Sequence, residues 1–486
     1  MTTRQLLIGG NWVDGADGGY DVVNPATEQV VDGAPEASAA QAHDAARAAR
    51  DAFDSWSRTP PEYRAELLAK TAEAIKSRFT ELLPLVIAET GCTSTVGKQM
   101  QVPTAWTRFE TYARYAMEPH DVIPLPPQEM PGTALAPGGL MGAIVRRAPV
   151  GVVACITPYN FPIVNMAGKL GPALAMGNTV VVRPASQNPL AVIELVRIMH
   201  EVGFPEGVVN VVTGSTPATG EALIESRDVD MVSFTGSTGV GLRIAEVGGR
   251  TMKRTLLELG GKGAALVFDD ADVKTAVTMI GSVWTFHSGQ ICTAPTRAII
   301  QRKLYEPVVA GLAKMANVLK VGDPHEPDTV VGPVITAAHR ARVEGLVQAG
   351  RDEGGEVVAG GERPEKPDIG YYVAPTLIAG CSSEMRVAQE EIFGPVIVAI
   401  PFDDEDEGIA IANSTDFGLY DYVFSGDTNR AFRVSKRLRA GNVGINTTQR
   451  NHNAPFGGMK YSGVGRDGGV FGLHAYSELQ SVVWPG

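Results

Sequence analysis

Three short segments carry side chains whose types could do chemistry. Cys292 lies in GQICTA between small and polar residues, Glu258 ends an apolar run in LELGGKG, and Asn160 stands in TPYNFP. A thiolate can attack an electrophilic carbon, a carboxylate can accept a proton, and an amide N–H can donate to an oxyanion. Each segment alone is also compatible with a structural role, as a core cysteine, a surface glutamate and an asparagine that caps a helix.

The cysteine needs help to act as a nucleophile. A free cysteine has a pKa near ~8.5, so only a few per cent is thiolate at neutral pH, and a catalytic Cys292 requires a local field or a base. Cys92, Cys155 and Cys381 lie in apolar or loop segments without a partner signature. No CxxC spacing links the four cysteines. The pattern therefore favours neither a disulfide framework nor a metal site, and we expect no metal.

A glycine-rich segment, FTGSTGVG, follows an apolar strand-like run and contains Gly236 and Ser237. Free backbone N–H groups at the start of a helix could hold a pyrophosphate there. The segment is neither GxGxxG nor a Walker A loop, and the absence of GK[ST] argues against phosphoryl transfer. Two further glycine-rich segments, EEIFGPV and APFGGMKYSGVGRDGG, can be explained by turn formation alone.

The elements that must position these residues alternate in type from residue 148 onward. PVGVVACITP, NTVVVRP, GVVNVVTG and DMVSFTG are apolar strand-like runs separated by helical stretches. Such alternation predicts a parallel, doubly wound sheet that binds a nucleotide. A second alternation begins at GAALVF and continues to about residue 447, which predicts another α/β domain.

The first third of the chain is mostly helical by pattern. We predict a helix over 39–56 and a second one that begins at Pro61, with an interruption at Pro84 and a stop at Gly91. Six prolines among residues 119–142 exclude a helix there and predict an extended connection or the start of a β-ribbon. An excursion of this kind often packs on a neighbouring subunit.

The composition is that of an ordinary globular protein. The 486 residues are 44% apolar and 20% charged, and 42 basic against 54 acidic residues give a net charge of −12. This excludes a disordered or fibrous chain and argues against nucleic acid or an anionic membrane as the main partner. No apolar run approaches the ~20 residues of a membrane span, and the N-terminus turns polar before a signal sequence can form. We expect a cytoplasmic protein with reduced thiols.

Seven segments occur in the order and spacing of one family. TPYNFP, KLGPALAMGNTVVVRP, FTGSTGVG, LELGGKG, GQICTA, EEIFGPV and PFGGMKYSGVGR resemble the NAD(P)-dependent aldehyde dehydrogenase superfamily across essentially the whole chain. The resemblance implies an α/β fold with a Rossmann-like coenzyme domain (1–118 and 150–258) and an α/β catalytic domain (259–465). It also implies a small β oligomerisation arm (119–149 and 466–486), and homodimers or homotetramers.

The resemblance also implies roles for the reactive residues. Cys292 matches the nucleophile that attacks the aldehyde, and Asn160 with the backbone N–H of Cys292 matches the oxyanion hole. Hydride then passes to the nicotinamide and leaves a thioester, which water activated by Glu258 hydrolyses. Lys169 matches a helix lysine in a proton path beside this base, although a solvated helix charge is the simpler reading of the residue alone.

Residues that match the coenzyme cleft of NAD or NADP are spread over five segments. They are Thr157, Pro158, Tyr159, Arg183, Ser186, Gly236, Ser237, Gly260, Glu391 and Phe393. Two departures concern the cleft. Ser186 replaces the glutamate that favours the 2′-hydroxyl of NAD, while Arg183 offers a planar fork that suits a phosphate, so the choice between NAD and NADP stays open. Tyr159 stands where tryptophan is usual.

The substrate pocket is placed by analogy with the family. We expect it to be lined by Met166, Trp284, Phe286, Ile291, Thr293 and the loop 448–455. Members that take succinic semialdehyde have an arginine beside the proton-path lysine, where this chain has Gly168. A carboxylate on the aldehyde is therefore disfavoured, although Arg450 could still reach the mouth, and we expect aliphatic or aromatic aldehydes.

Two alternatives remain at this stage. Relatives that transfer the acyl group to coenzyme A lack the glutamate at position 258, and its presence speaks against a CoA-acylating semialdehyde dehydrogenase. A catalytically silent binding or structural relative would be expected to lose the thiol or the oxyanion asparagine. Cys292 and Asn160 are both present.

Overall fold

Two large, mostly parallel sheets organise the chain in the computed structural model, which describes residues 4–118 and 122–485. The strands are β1 (Leu6–Ile8), β2 (Asn11–Val13), β3 (Gly19–Val23), β4 (Val30–Pro35), β5 (Val122–Met130), β6 (Gly139–Pro149), β7 (Val152–Ile156), β8 (Thr179–Arg183), β9 (Val209–Val211), β10 (Met231–Thr235), β11 (Arg254–Glu258), β12 (Ala264–Val267), β13 (Arg297–Gln301), β14 (Glu356–Ala359), β15 (Thr376–Ala379), β16 (Val396–Phe402), β17 (Tyr420–Phe424), β18 (Asn442–Ile445), β19 (Gly463–Val464) and β20 (Ser477–Pro485).

Helices cover both sheets. They are α1 (Ala39–Ser57), α2 (Pro61–Ser77), α3 (Phe79–Thr90), α4 (Ser94–Val96), α5 (Val102–Ala116), α6 (Pro162–Ala175), α7 (Leu190–Glu201), α8 (Ala218–Glu225), α9 (Thr238–Gly249), α10 (Val273–Trp284), α11 (Arg302–Val318), α12 (Ala337–Asp352), α13 (Arg386–Gln389), α14 (Glu405–Asn413), α15 (Thr428–Ser435) and α16 (Gly469–Ala475). A short 3₁₀ turn, Phe286–Gly289, follows α10.

The first sheet has the strand order β19-β11-β10-β7-β8-β9-β1-β2, and its five central strands are parallel. Every residue of β7 is buried, as expected for a strand covered by helices on both faces. Successive β7 side chains join opposite cores: Val153 and Cys155 pack with α2, α5, α6 and α7, while Val152 and Ala154 pack with α1, α8 and α9. The predicted doubly wound sheet is confirmed.

The second sheet has the order β14-β15-β16-β13-β12-β17-β18 and is parallel except for β14. Together with the small antiparallel sheet β20-β6-β5, these sheets form the aldehyde dehydrogenase-like α/β fold that the motifs imply. The extended ribbon predicted for 119–142 is present as β5 and the start of β6, with 119–121 outside the described residues. The division into coenzyme and catalytic domains stays a prediction.

Of two predictions about α3, the stop at Gly91 is confirmed and the interruption at Pro84 is not. Gly91 ends α3 in the left-handed conformation, with φ of 68°. Pro84, however, does not interrupt a helix but lies inside α3, so this prediction was wrong. In the second turn of the helix a proline removes only the hydrogen bond to the carbonyl of Thr80, and the chain breaks earlier, at Arg78.

Candidate active site

Three neighbouring strands bring the predicted residues to one edge of the first sheet. β7, β10 and β11 are adjacent and parallel, so their carboxyl ends meet at the same edge. Asn160 lies just beyond β7, Gly236 follows β10, and Glu258 is the last residue of β11. Cys292 arrives from the second sheet, in the turn between the 3₁₀ turn and β13. A β-carbon at Gly261 would collide with the backbone oxygen of Cys292, so a glycine permits this close approach.

The backbone and side chain of Asn160 are both fixed. Its carbonyl oxygen accepts from Nε2 of Gln101 at 2.9 Å and lies 2.8 Å from Nε2 of His287. Its Nδ2 donates to the carbonyl of Gln290, two residues before Cys292, at 2.9 Å. No side-chain capping bond forms at the start of α6. The asparagine therefore joins the two segments rather than capping the helix, and its second amide hydrogen remains for another acceptor.

The thiol of Cys292 is neutral at rest. Burial raises its pKa to about 12, and the negative charges of Glu391 and Glu258 add to the rise, while Arg450 opposes it. Cys292 is nevertheless partly exposed, whereas the other three cysteines are buried. A neutral but accessible thiol can become a nucleophile only when a base takes its proton.

Glu258 has the environment of such a base. The side chain is buried, and neither carboxylate oxygen has a hydrogen-bond partner in the described parts of the chain. Burial raises the pKa of Glu258 well above its ordinary value, and the negative charge of Asp467 adds to the rise. An unpaired buried carboxyl costs stability and is typical of a functional site.

Lys169 lies in the same buried cluster as the carboxyl groups. It is 1% exposed, its Nζ donates to Oγ of Ser233 at 3.1 Å and lies 3.7 Å from Oδ2 of Asp467. The Ser233 hydroxyl also bonds the Tyr476 hydroxyl at 2.8 Å. The reading of Lys169 as a solvated helix charge was therefore wrong. Sequence reasoning missed Asp467, although it stands in the glycine-rich SGVGRDGG segment.

The loop after β10 offers donors to an anion. Ser237 is exposed and makes no side-chain capping bond, so the first N–H groups of α9 have no such partner among the residues described. Gly236 is not a donor, because its N–H bonds the carbonyl of Glu258 at 3.0 Å. A β-carbon at Gly236 would instead collide with the ring of Phe234. A pyrophosphate fits the helix start, and the buried, unpartnered hydroxyl of Thr157 adds a donor at the same edge.

The Glu391 and Phe393 segment lies against the end of β11. Oε1 of Glu391 accepts from the N–H of Gly261 at 2.8 Å, and a β-carbon at Gly260 would lie 2.5 Å from Oε2. Phe393 has a φ of 57°, and its ring stands edge-on to that of Tyr159 at 5.9 Å. Pro158, beside Tyr159, is half-buried. The carboxylate of Glu391 and the rings of Tyr159 and Phe393 therefore lie near the end of β11, where Glu258 is, and they are groups suited to contact a ribose and a flat ring.

Arg183 and Ser186 lie farther along the same edge. The guanidinium of Arg183 donates to the carbonyls of Gly214 at 3.3 Å and Thr216 at 3.1 Å, so it holds the loop after β9. Ser186 is half-buried, and its hydroxyl contacts Oε1 of Gln187 at 3.4 Å. The positive charge of Arg183 is present, but its donors are partly occupied.

Part of the predicted substrate pocket is core instead. Met166 and Trp284 are both 0% exposed and pack inside the cores of the first and second sheets, respectively, because their helices turn these faces to the strands. Phe286 and Ile291 are partly buried beside the first core. Arg450 lies over the Phe456 ring, with 3.7 Å from Cζ to the ring centre.

Metal-binding clusters and membrane-spanning helices are both absent from the described ranges. Within 4–118 and 122–485, no cluster of three or more His, Cys, Asp or Glu side chains is arranged to hold a metal ion. Over the same ranges, no helix has the length and apolar character needed to cross a membrane.

Comparison with known proteins gives matches over nearly the whole chain. The profile described as "Aldehyde dehydrogenase family" matches residues 12–482. Betaine aldehyde dehydrogenase of Bacillus subtilis (strain 168) is 36% identical, covering 99% of this chain and 97% of the relative. A 3-succinoylsemialdehyde-pyridine dehydrogenase of a Pseudomonas species is 37% identical, covering 99% and 98%.

A solved structure shows the same fold with a coenzyme bound. A point mutant of betaine aldehyde dehydrogenase from Staphylococcus aureus, in complex with NAD+ and with a modified cysteine, superposes with a TM-score of 0.94. It is 33% identical, and the match covers 99% of this chain and 97% of that one.

The charges around the thiol predict how its alkylation responds to pH. Modification of Cys292 by iodoacetamide should rise with pH through a midpoint above that of a free thiol, ~8.5. Glu258→Gln removes a negative charge and should lower the midpoint, whereas Arg450→Leu removes a positive charge and should raise it. Peptide mass spectrometry of the Cys292 peptide measures the rate. Identical midpoints in all three proteins would refute this electrostatic description.

Proposed function

This chain belongs to the aldehyde dehydrogenase family and is an NAD(P)-dependent aldehyde dehydrogenase, and from that premise we propose that Cys292, Glu258, Asn160 and Lys169 carry the reaction. The observation that carries the proposal is an accessible neutral thiol and a buried carboxyl group at the junction of the two sheets, where the carboxyl group has no hydrogen-bond partner among the described residues. The product is the carboxylic acid.

Attack on the aldehyde begins with removal of the Cys292 proton. Glu258 lies in the electrostatic environment of the thiol and has no hydrogen-bond partner in the described structure, so its carboxylate can accept this proton. The thiolate then adds to the carbonyl carbon and forms a tetrahedral thiohemiacetal. Asn160 donates its free amide hydrogen to the developing oxyanion, together with the backbone N–H of Cys292. Losing one such donor costs on the order of 10²–10³ in rate.

The second half of the reaction hydrolyses a thioester. The nicotinamide, when bound, accepts the hydride and thereby allows the tetrahedral adduct to collapse to a thioester on Cys292. Glu258 then takes a proton from water, which attacks the thioester carbon and releases the acid. Nζ of Lys169 lies 3.7 Å from Oδ2 of Asp467. This pair lies near Glu258, and the buried carboxyl group can exchange its proton through it.

The coenzyme lies along the edge described above. We assign the pyrophosphate to the start of α9 and Ser237, the ribose to Glu391, and the nicotinamide ring to the cleft lined by Phe393, Tyr159 and Thr157. Ser186 faces the adenosine end in this assignment, where a serine neither accepts strongly from a 2′-hydroxyl nor repels a 2′-phosphate. Ser186 therefore selects against neither NAD nor NADP.

The small sheet is the proposed surface for subunit association. β5, β6 and β20 expose a run of apolar side chains, namely Val122, Ile123, Leu125, Leu140, Leu479, Val482, Val483 and Trp484. Such a patch on one three-stranded sheet is typical of an interface, and a dimer or a tetramer of dimers would bury it. The molar mass in solution, measured by light scattering, tests this.

The substrate class depends on the groups that lie beside Lys169. The sequence favours an aliphatic or aromatic aldehyde without a carboxylate, because Gly168 leaves no arginine beside Lys169. In the structure, however, the guanidinium of Arg108 occupies the space beside Gly168. The reason for excluding a carboxylate is thereby removed.

We expect Cys292→Ala to abolish aldehyde oxidation while coenzyme binding is retained. Cys381→Ala removes a buried thiol outside the site and serves as the matched control. Absorbance of the reduced coenzyme measures turnover, and calorimetric titration with NAD+ measures binding. Turnover above a few per cent of wild type in Cys292→Ala would refute the assignment.

Replacing Ser186 tests the adenosine end. Ser186→Glu should shift the preference toward NAD, since a carboxylate accepts from a 2′-hydroxyl and repels a 2′-phosphate. Values of kcat/KM with both coenzymes measure the shift, and Ser186→Ala controls for loss of the hydroxyl. An unchanged ratio in Ser186→Glu would mean that this residue does not face the ribose.

A further inference from the structure

Two arginines from different parts of the chain approach the reactive groups. Arg108, on α5, reaches across to α6, where a β-carbon at Gly168 would collide with its Nη1. Gly168 is therefore the position that makes room for this guanidinium, directly before Lys169. Arg450 comes from the loop after β18, and its Cζ lies over the Phe456 ring, 3.7 Å from the ring centre.

Neither guanidinium is paired with an anion. Both side chains are partly buried, and in the described ranges neither makes an ion pair or a hydrogen bond. Burial lowers the pKa of Arg450, and the positive charge of Arg108 lowers it further. The two positive charges thus repel each other in a partly buried environment. This arrangement lowers the stability of the fold unless an anion binds between them.

The surrounding groups do not supply that anion. The charged or titratable groups that act on Arg450 are Arg108, Cys292, Tyr420 and Glu258. Cys292 and Tyr420 have raised pKa values and are neutral at rest. The carboxylate oxygens of Glu258 make no hydrogen bond to either arginine among the described residues. His452 also lies near both arginines, and burial and their two charges lower its pKa, so it adds no negative charge.

We propose that Arg108 and Arg450 bind a carboxylate at the far end of the aldehyde substrate, so that the enzyme oxidises semialdehydes of organic acids in preference to neutral aldehydes. This inference rests on the proposed function. A guanidinium presents a planar fork that pairs both oxygens of a carboxylate, and two forks from α5 and the 448–455 loop would enclose it. The bond from the Tyr115 hydroxyl to Oδ1 of Asn453, at 3.1 Å, ties this loop to the same helix.

Arg450 also affects the thiol, and the test must separate that effect. Its positive charge opposes the rise in the pKa of Cys292, so its loss would slow attack on every aldehyde alike. Loss of a carboxylate-binding group acts only on substrates that carry a carboxylate, and chiefly on KM. The side-chain charges that chiefly shift the thiol pKa are those of Glu391, Arg450 and Glu258, so the Arg108 variant is the better report on binding.

The experiment compares matched substrates. Wild-type kcat/KM is measured for 4-oxobutanoate and 5-oxopentanoate against butanal, pentanal and the methyl ester of 4-oxobutanoate, with betaine aldehyde as a cationic substrate. We expect a preference of about 10- to 100-fold for the carboxylates, the range of a hydrogen bond to a charged group. Betaine aldehyde, which is positively charged, should be the poorest.

Variants then assign the preference to the two residues. Arg108→Met and Arg450→Met should each raise KM for the carboxylates about tenfold or more, and Arg108→Met should affect the carboxylates far more than the neutral aldehydes. Arg108→Lys, which keeps the charge, should restore part of the preference, and Gly168→Ala, which displaces the guanidinium, should lower it. The control is Arg114→Gln, an exposed arginine on the same helix. NAD+ binding verifies that each variant is folded.

The outcomes separate this inference from the function on which it rests. Oxidation of neutral and carboxylated aldehydes with equal kcat/KM would overturn the carboxylate site and leave the dehydrogenase intact. A preference that survives both methionine variants would also overturn it. Failure of the wild-type enzyme to oxidise any aldehyde would instead reject the proposed function, and the inference with it.

Discussion

Burial of a carboxyl group without a partner is the constraint on which the site depends. Glu258 ends a central strand, so its backbone is fixed by β10 on one side and β19 on the other, while its two carboxylate oxygens lack partners among the described residues. Burial raises the pKa values of both this group and the Cys292 thiol. A carboxylate with a raised pKa is a stronger base, and it can take the proton of the thiol or of a water molecule. The charge of Asp467 raises the pKa of Glu258 and that of Lys169 lowers it, and an ion pair joins the two residues.

Glycines allow the two large sheets to approach each other closely at the site. The site needs the end of β11, the turn that carries Cys292 and the Glu391 segment within contact distance. Side chains at Gly260 or Gly261 would occupy that space. Asn160 links the same two sheets through Gln290, and Gln101 and His287 fix its backbone. The reactive groups are therefore positioned by strand ends and backbone contacts rather than by mobile loops, which suits a reaction with two successive attacks on one carbon.

The sequence predicted correctly the features that depend on neighbouring residues alone, such as the end of a strand or the stop of a helix. The strand that ends at Glu258 and the left-handed stop at Gly91 follow from apolar runs and glycine conformation, and both are observed. Pro84 was misread because a proline in the second helical turn costs a single hydrogen bond, which tertiary packing outweighs. Asp467 and Arg108 were missed because they lie 209 positions after and 150 positions before Glu258. Only the folded chain brings such residues together, and no spacing rule within one segment could identify them. The motifs gave the residue types of the site but not its electrostatics.

The most direct test of the central claim separates the two steps that Glu258 serves. In Glu258→Gln the amide cannot accept a proton from water, so the thioester should persist after one hydride transfer. Stopped-flow absorbance with a reactive aldehyde should show a burst approaching one reduced coenzyme per active site, followed by very slow turnover. Mass spectrometry should find the acyl group on the Cys292 peptide. Unchanged steady-state turnover, with no acyl group on Cys292, would contradict the account and require a different base.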